Sequence, residues 1–191
     1  MTWAVYNEKQ RKAVEEIVKT GSDRIIAIVG GALLDDTLRW TICERLKNDA
    51  DTANKLFRVN GALGNADPKV DLLWLLNGVE RTVRNTLYRL IAVRNGFAHA
   101  LDASFDSPNP KMADGLALLK LQEGKKYYPH HLYNQDSKNE IETVKSNRDR
   151  FVVNLKLCLI ALMRDRVSHE AWSHTPLSED DLRKQMEQQR A

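Results

Sequence analysis

The chain has 191 residues, 42% hydrophobic and 29% charged, which is enough for one domain with a substantial core and a short appendage. Its 29 basic and 26 acidic residues leave a net charge of +3, so overall charge makes no case for a nucleic-acid binder and only a local patch could. No apolar run approaches the length of a membrane span, and the opening MTWAVYNEKQRK lacks the apolar core of a secretion signal.

Taken in order, Asn7 to Lys19 reads as a first helix with a modest apolar stripe at Ala13, Ile17 and Val18. Thr20-Gly21 ends it, and Ser22 is a good cap for the next. From Asp23 to about Lys47 the pattern is strongly helical, and Ile25, Ile26, Ile28, Val29, Leu33 and Leu34 cover most of its early circumference. That helix should be central. Gly30-Gly31 in its middle costs on the order of 1 kcal/mol per glycine against alanine, a cost that close contact with a neighbouring helix would offset. Asp23-Arg24 and Asp35-Asp36 interrupt the apolar run. They fit first a solvated face, a charge at a helix start or an internal ion pair, and second a carboxylate that orients Arg94 or His99.

Asp51 to Phe57 reads as a short helix, followed by a loop of small residues from Val59 to Ala66. Asp67-Pro68 marks the start of a largely buried helix over Lys69 to Leu76, which Asn77-Gly78 ends. Another helix follows from about Glu80 and carries LYRLIAVRNGFAH, Leu87 to His99. Ser104 to Pro110 holds two prolines and reads as a surface loop, and Met112 to Leu121 as a short helix. Lys125 to Tyr133, KKYYPHHLY, interleaves basic and aromatic residues. Lys125, Lys126 and Tyr128 there suit RNA contact, and the same composition suits an ordinary amphipathic loop. Asn139 to about Arg166 reads as a long core helix in which Arg148 and Arg150 fit either phosphate contact or a solvated face. From Val167 the chain is polar, with Ser178-Glu179-Asp180-Asp181 opening a short helix. The boundaries are therefore a helical domain over 1–166 and a polar extension over 167–191. The class is all-α, a single-domain helical bundle.

The Leu87 helix carries the chemistry. Leu87, Leu90, Ile91 and Phe97 face the core, while Arg94, Asn95 and His99 gather at its end. Arginine holds phosphate through a fixed fork of donors, and histidine moves protons near neutral pH. Asn95 and His99, four residues apart, share a face, but Arg94 and His99 are separated by about 140° around an ideal helix. Either Gly96 loosens the helix, or a pocket wraps around it, or a second copy of the chain completes the site.

Arg94-Asn95-Gly96-Phe97-Ala98-His99 resembles the Arg-polar-x-x-x-His signature of the HEPN superfamily of helical domains. More of the chain resembles the mannitol operon repressor family. The matching segments are Ser22-Asp23-Arg24 leading into Leu33-Leu34-Asp35-Asp36, the loop Gly61-Ala62-Leu63-Gly64, the Arg94 to His99 ending, and Asn147-Arg148-Asp149-Arg150-Phe151. Lys69 stands where that family is expected to have an arginine.

The first resemblance implies a dimeric, metal-independent endoribonuclease or toxin-like effector. His99 would be its general acid or base, Arg94 its phosphate-charge stabiliser and Asn95 an orienting residue, with Asp23, Arg24 and Asp36 supporting them. A protein partner or cognate inhibitor would accompany an effector of that kind. The second resemblance implies a non-catalytic transcriptional regulator acting through protein–protein contacts. A third reading makes Arg94, Asn95 and His99 a structural network between helices or protomers. Cys43 and Cys158 lie in apolar helical patterns and read as reduced thiols, which with the absent signal and span points to the cytoplasm. No metal-ligand spacing, cofactor motif or membrane segment is expected.

Overall fold

The computed structural model describes residues 8–47, 49–121 and 144–173, the side chains of 8–10 and 164–173 excepted. Among them the secondary structure is entirely helical. The helices are α1 (Glu8–Thr20), α2 (Asp23–Cys43), α3 (Ala50–Phe57), α4 (Ala66–Leu75), α5 (Arg81–His99), α6 (Pro110–Ala117) and α7 (Asn147–Ser173). None is long and apolar enough to cross a membrane among the described residues.

Local chemistry sets the helix starts. Ser22, Asp49 and Asn109 each accept a hydrogen bond from the backbone N–H three residues on, satisfying a donor that the first turn leaves orphaned. Asn77, with φ 53°, takes the left-handed conformation that ends α4, as the Asn77-Gly78 pair anticipates. The last helix departs from expectation at both ends. A start at Asn139 is anticipated, yet residues 144–146 are not helical, and residues 139–143 lie outside the described residues. The Asp149 carboxylate accepts from the backbone N–H of Lys145 and Ser146, while the Ser146 hydroxyl accepts from that of Asp149. This reciprocal cap fixes the start at Asn147. At the far end α7 runs past Arg166 to Ser173, because the chain holds no glycine or proline there before Pro176.

Helices α2, α5 and α7 pack on one another, with α4 and α6 against α5 and α1 along α2. Ile26, Leu34, Leu38, Leu87, Leu90, Phe97, Phe151, Leu155 and Leu159 make one continuous core with their neighbours. Both glycines of α2 lie at close approaches. A Cβ at Gly30 would come within 2.6 Å of a Leu155 methyl on α7, and one at Gly31 within 2.4 Å of Arg94 Cγ on α5. Gly96 is a third close approach, where a Cβ would meet Met112 of α6 at 2.3 Å. Phe97, Phe105 and Phe151 stack in series, with ring centroids 4.7 and 5.4 Å apart, and bind the loop after α5 to α7.

Lys69 is 2% exposed, and its ammonium lies 2.6 Å from both carboxylate oxygens of Asp35. Asp35 is thus the internal ion pair of α2, and removing either partner would strand a charge. Cys158 is fully buried and its thiol is pushed well above the usual thiol range by desolvation, whereas Cys43 is half-buried.

Replacing Gly30 by valine overpacks the α2–α7 contact and is expected to cost about 1–3 kcal/mol. Chemical denaturation would measure it, and an unchanged midpoint would show that α7 does not sit against that glycine.

Candidate functional site at the end of helix α5

Helix α5 is regular through Gly96 to His99, and the Ala100 N–H still bonds the Gly96 carbonyl at 3.1 Å. Gly96 therefore does not loosen the helix but admits α6. The separation of about 140° between Arg94 and His99 stands.

Arg94 is half-buried. Its aliphatic stem lies on the bare backbone of Gly31, and its Nη1 donates to Asn95 Oδ1 at 3.0 Å. Among the described residues no carboxylate pairs with it, so its charge is held in place and left uncancelled. Asn95 is half-buried beside it, and His99 is exposed on the last turn. Arg94 and Asn95 are thus brought together, and His99 stands apart on the outer side of the helix.

The loop after His99 is held by the start of α2, which runs antiparallel to α5. Arg24 donates from its guanidinium to the Ala100 carbonyl, and Asp23 Oδ2 accepts the Phe105 N–H at 2.9 Å. A cation in the first turn of α2 opposes that helix's own dipole, but here Arg24 meets the negative end of α5. Asp23 also accepts from Arg148 Nη1 at 3.3 Å. Arg148 Nη2 donates to the carbonyls of Val18 and Gly21, at 2.9 and 3.0 Å, and so closes the end of α1. Asn147 Nδ2 reaches the Phe105 carbonyl at 3.0 Å. Asp23 and Arg24 thus hold the backbone that follows His99 and contact neither Arg94 nor His99. Arg150 lies near the end of α6, with Nη1 3.4 Å from the Ala117 carbonyl, and Asp36 is exposed on α2. Lys125, Lys126 and Tyr128 lie outside the described residues, as do the capping box of the tail and His174.

Comparison with protein-family models, curated proteins and solved structures finds no match to this chain. Its chemistry has to be read from the residues themselves. Among the described residues no three His, Cys, Asp or Glu side chains gather as a cation's ligands would.

One cluster escapes a reading built on motifs. Arg84 of α5 lies between the rings of Trp74 and Tyr88, 5.3 and 5.4 Å from their centroids. Asp71 Oδ1 accepts from Arg84 Nη2 at 2.9 Å and from the Tyr88 hydroxyl at 2.5 Å. The Tyr88 hydroxyl and the Arg84 guanidinium hold the Asp71 carboxyl below the usual carboxylate range, and burial together with Asp71 raises the Tyr88 phenol. A signal for it lies in the charge pattern of the helix. Over its 19 residues α5 carries Arg81, Arg84, Arg89, Arg94 and His99 and no acidic residue.

Asp23→Ala would strand the Phe105 N–H and take away the carboxylate that Arg148 Nη1 reaches, and is expected to cost about 1–3 kcal/mol. Asp36→Ala, at an exposed position, should cost about 0.5 kcal/mol or less. Thermal unfolding of the two variants side by side tests this, and equal losses would contradict the structure at Asp23.

Asp71 supplies a pH dependence. Its folded value is depressed, so its contribution is present above the unfolded carboxylate value of about 3.9 and is lost as pH falls through the folded value. The variant Asp71→Asn should show a smaller fall in melting temperature between about pH 5 and pH 2.5 than the parent chain. Identical acid limbs would remove Asp71 from the balance.

Proposed function

We propose that the end of α5 is the reactive centre of a metal-independent endoribonuclease, built by two copies of a HEPN-like helical chain. The supporting observation is the state of Arg94. Its guanidinium is half-buried, its stem is fixed against Gly31, and its hydrogen bond goes to a neutral amide rather than a carboxylate. A charge held in that way, without an internal counter-ion, suits the phosphorane that forms when a ribose 2′-oxygen attacks the adjacent phosphorus.

In that reaction the P–O2′ bond forms and the P–O5′ bond breaks. The 2′-hydroxyl proton passes to a base, and the departing 5′-oxygen takes one from an acid. His99 fills either role, being exposed on the last turn of the same helix. Asn95 holds the Arg94 fork in its orientation. Because the regular helix sends Arg94 and His99 in different directions, Arg94 of one copy is expected to serve His99 of the other. A two-fold axis would then create two such sites. Apolar residues beside this end favour a second copy there, since Leu101 is 92% exposed and Ile25 48%.

The same exposed leucine and isoleucine favour a second reading. In it the chain is a non-catalytic regulator, of the mannitol operon repressor kind, that recruits a protein partner through this end. The two readings part on whether RNA is cut.

His99→Ala is expected to lower cleavage of a single-stranded RNA about a hundredfold or more while leaving the melting temperature in place, because the side chain is exposed. Arg94→Ala should lose cleavage as well, and mixing the two inactive chains should restore part of it through heterodimers with one intact site. Products should end in a 2′,3′-cyclic phosphate, and cleavage should persist in EDTA. Full activity from a monomer, or a requirement for a divalent metal, would falsify this mechanism.

A further inference from the structure

The short helix α6 ends between α5 and α7, and its last carbonyls are met by charged groups from both. Gly115 turns no side chain toward α5, where a Cβ would come within 3.1 Å of Val93 Cγ2 and 3.7 Å of the Arg89 carbonyl. That bare contact brings the last turn of α6 alongside Arg89. Arg89 Nη1 donates to the Leu118 carbonyl at 3.0 Å, and Arg150 Nη1 lies 3.4 Å from the Ala117 carbonyl. The next carbonyl, of Leu119, lies 3.4 Å from Nδ2 of the buried Asn154, whose Oδ1 accepts the Leu121 N–H at 2.9 Å. Three consecutive carbonyls are thus each reached by a side-chain donor.

Two of these donors are cations, and the negative end of a helix offsets only about half a unit of charge. A neutral amide can satisfy a carbonyl there, as Asn154 does, so hydrogen bonding alone does not account for two guanidiniums. Among the described residues neither Arg89 nor Arg150 pairs with a carboxylate. Asp114, one turn before Leu118, is exposed and contacts neither, and Asp149 is committed to the cap that opens α7. An excess of about one and a half positive charges remains. Each guanidinium uses one nitrogen on α6 and leaves the rest of its fork open, and Arg150 Nε is buried without a partner. Open edges of two such forks are donors suited to an oxyanion.

We infer that Arg89 and Arg150 form a binding site for a phosphate monoester dianion at the end of α6. Charge decides the class. A carboxylate or a phosphodiester brings one negative charge, whereas a monoester above its second pKa of about 6 brings nearly two, with three oxygens to meet two forks. One arginine comes from α5 and the other from α7, so the bound group would tie both helices to α6. The site is independent of the proposed reading of the α5 terminus, because Arg89 and Arg94 point about 140° apart around the helix.

The probe is phenyl phosphate, followed by phosphorus NMR as the full chain is added at about pH 7.5 and constant ionic strength. Saturable binding is expected, about ten times tighter than that of dimethyl phosphate, the monoanionic diester. It should weaken about fivefold at pH 5, where the second charge of the ester is lost. Arg89→Gln and Arg150→Gln should each weaken binding about fivefold or more, with circular dichroism showing that they fold. Arg89→Lys, which keeps the charge without the fork, carries the test if neither glutamine variant folds, and should weaken binding about twofold or more. Inorganic phosphate separates the sources: tighter binding than the ester assigns the site to the free ion, and weaker binding assigns it to a phosphorylated molecule. No saturable binding by the parent, equal affinity for monoester and diester, or folded variants that bind as the parent does would each overturn the site. So would a loss confined to Arg94→Ala, which would put the phosphate at the end of α5.

Discussion

Two adjacent glycines in the most buried helix decide how the rest of the bundle can assemble. Gly30 and Gly31 project no side chain on neighbouring flanks of α2, and each flank receives a different helix. The first admits Leu155 and Phe151 of α7, which closes the core, and the second admits the stem of Arg94 from α5. In isolation the pair weakens α2 by about 2 kcal/mol relative to alanine. Close packing offsets that, since a buried leucine makes dozens of dispersion contacts that a separated helix would forfeit. The contact at Gly31 has a second consequence. Arginine usually leaves its head free to wander in solvent, but here the stem is pinned and the guanidinium is carried at a fixed height above α2.

The same region shows how charges are distributed between structure and surface. Asp23, Arg24 and Arg148 are satisfied by backbone groups and by one another, and they fasten α1, the loop after α5 and the start of α7 into one corner. Asp35 is consumed by Lys69. The aromatic series Phe97, Phe105 and Phe151 backs that corner with apolar contact. What the corner leaves uncommitted is the end of α5, where Arg94 lacks a counter-ion on the side of α2 and His99 faces solvent on the outer side. An uncancelled, half-buried cation is costly for packing to maintain and useful for holding an anion. That contrast is the physical ground for proposing function there rather than at the other charged pairs of α2.

Much of the architecture is legible in the order of the residues. Periodicity places α2 and α5, because each buries one wide face and a 3.6-residue repeat survives any tertiary arrangement, whereas α7 is buried all round over residues 151–159 and shows as a nearly continuous apolar run. Capping residues fix several starts, since their hydrogen bonds are local. The anticipated start at Asn139 fails for a local reason too: the reciprocal Ser146–Asp149 cap outweighs the apolar pattern upstream of it. The charge asymmetry of α5 is equally readable, but counting charges over the whole chain averages it away against acidic residues elsewhere.

The sequence by itself determined that the chain folds as helices, which faces are apolar, and that an arginine, an amide and an imidazole share one helix end. Only the tertiary structure decided what surrounds them. Whether Asp23 meets His99 or the Phe105 amide, whether Arg148 reaches solvent or the carbonyls of α1, and whether Gly96 bends α5 or admits Met112 depend on contacts between residues far apart in the chain. A helical repeat specifies direction around one axis and carries no information about which other axis lies beside it. The stack of Trp74, Arg84 and Tyr88 is of this kind, since it exists only because α4 lies against α5 and lends one ring from outside the helix that holds the other.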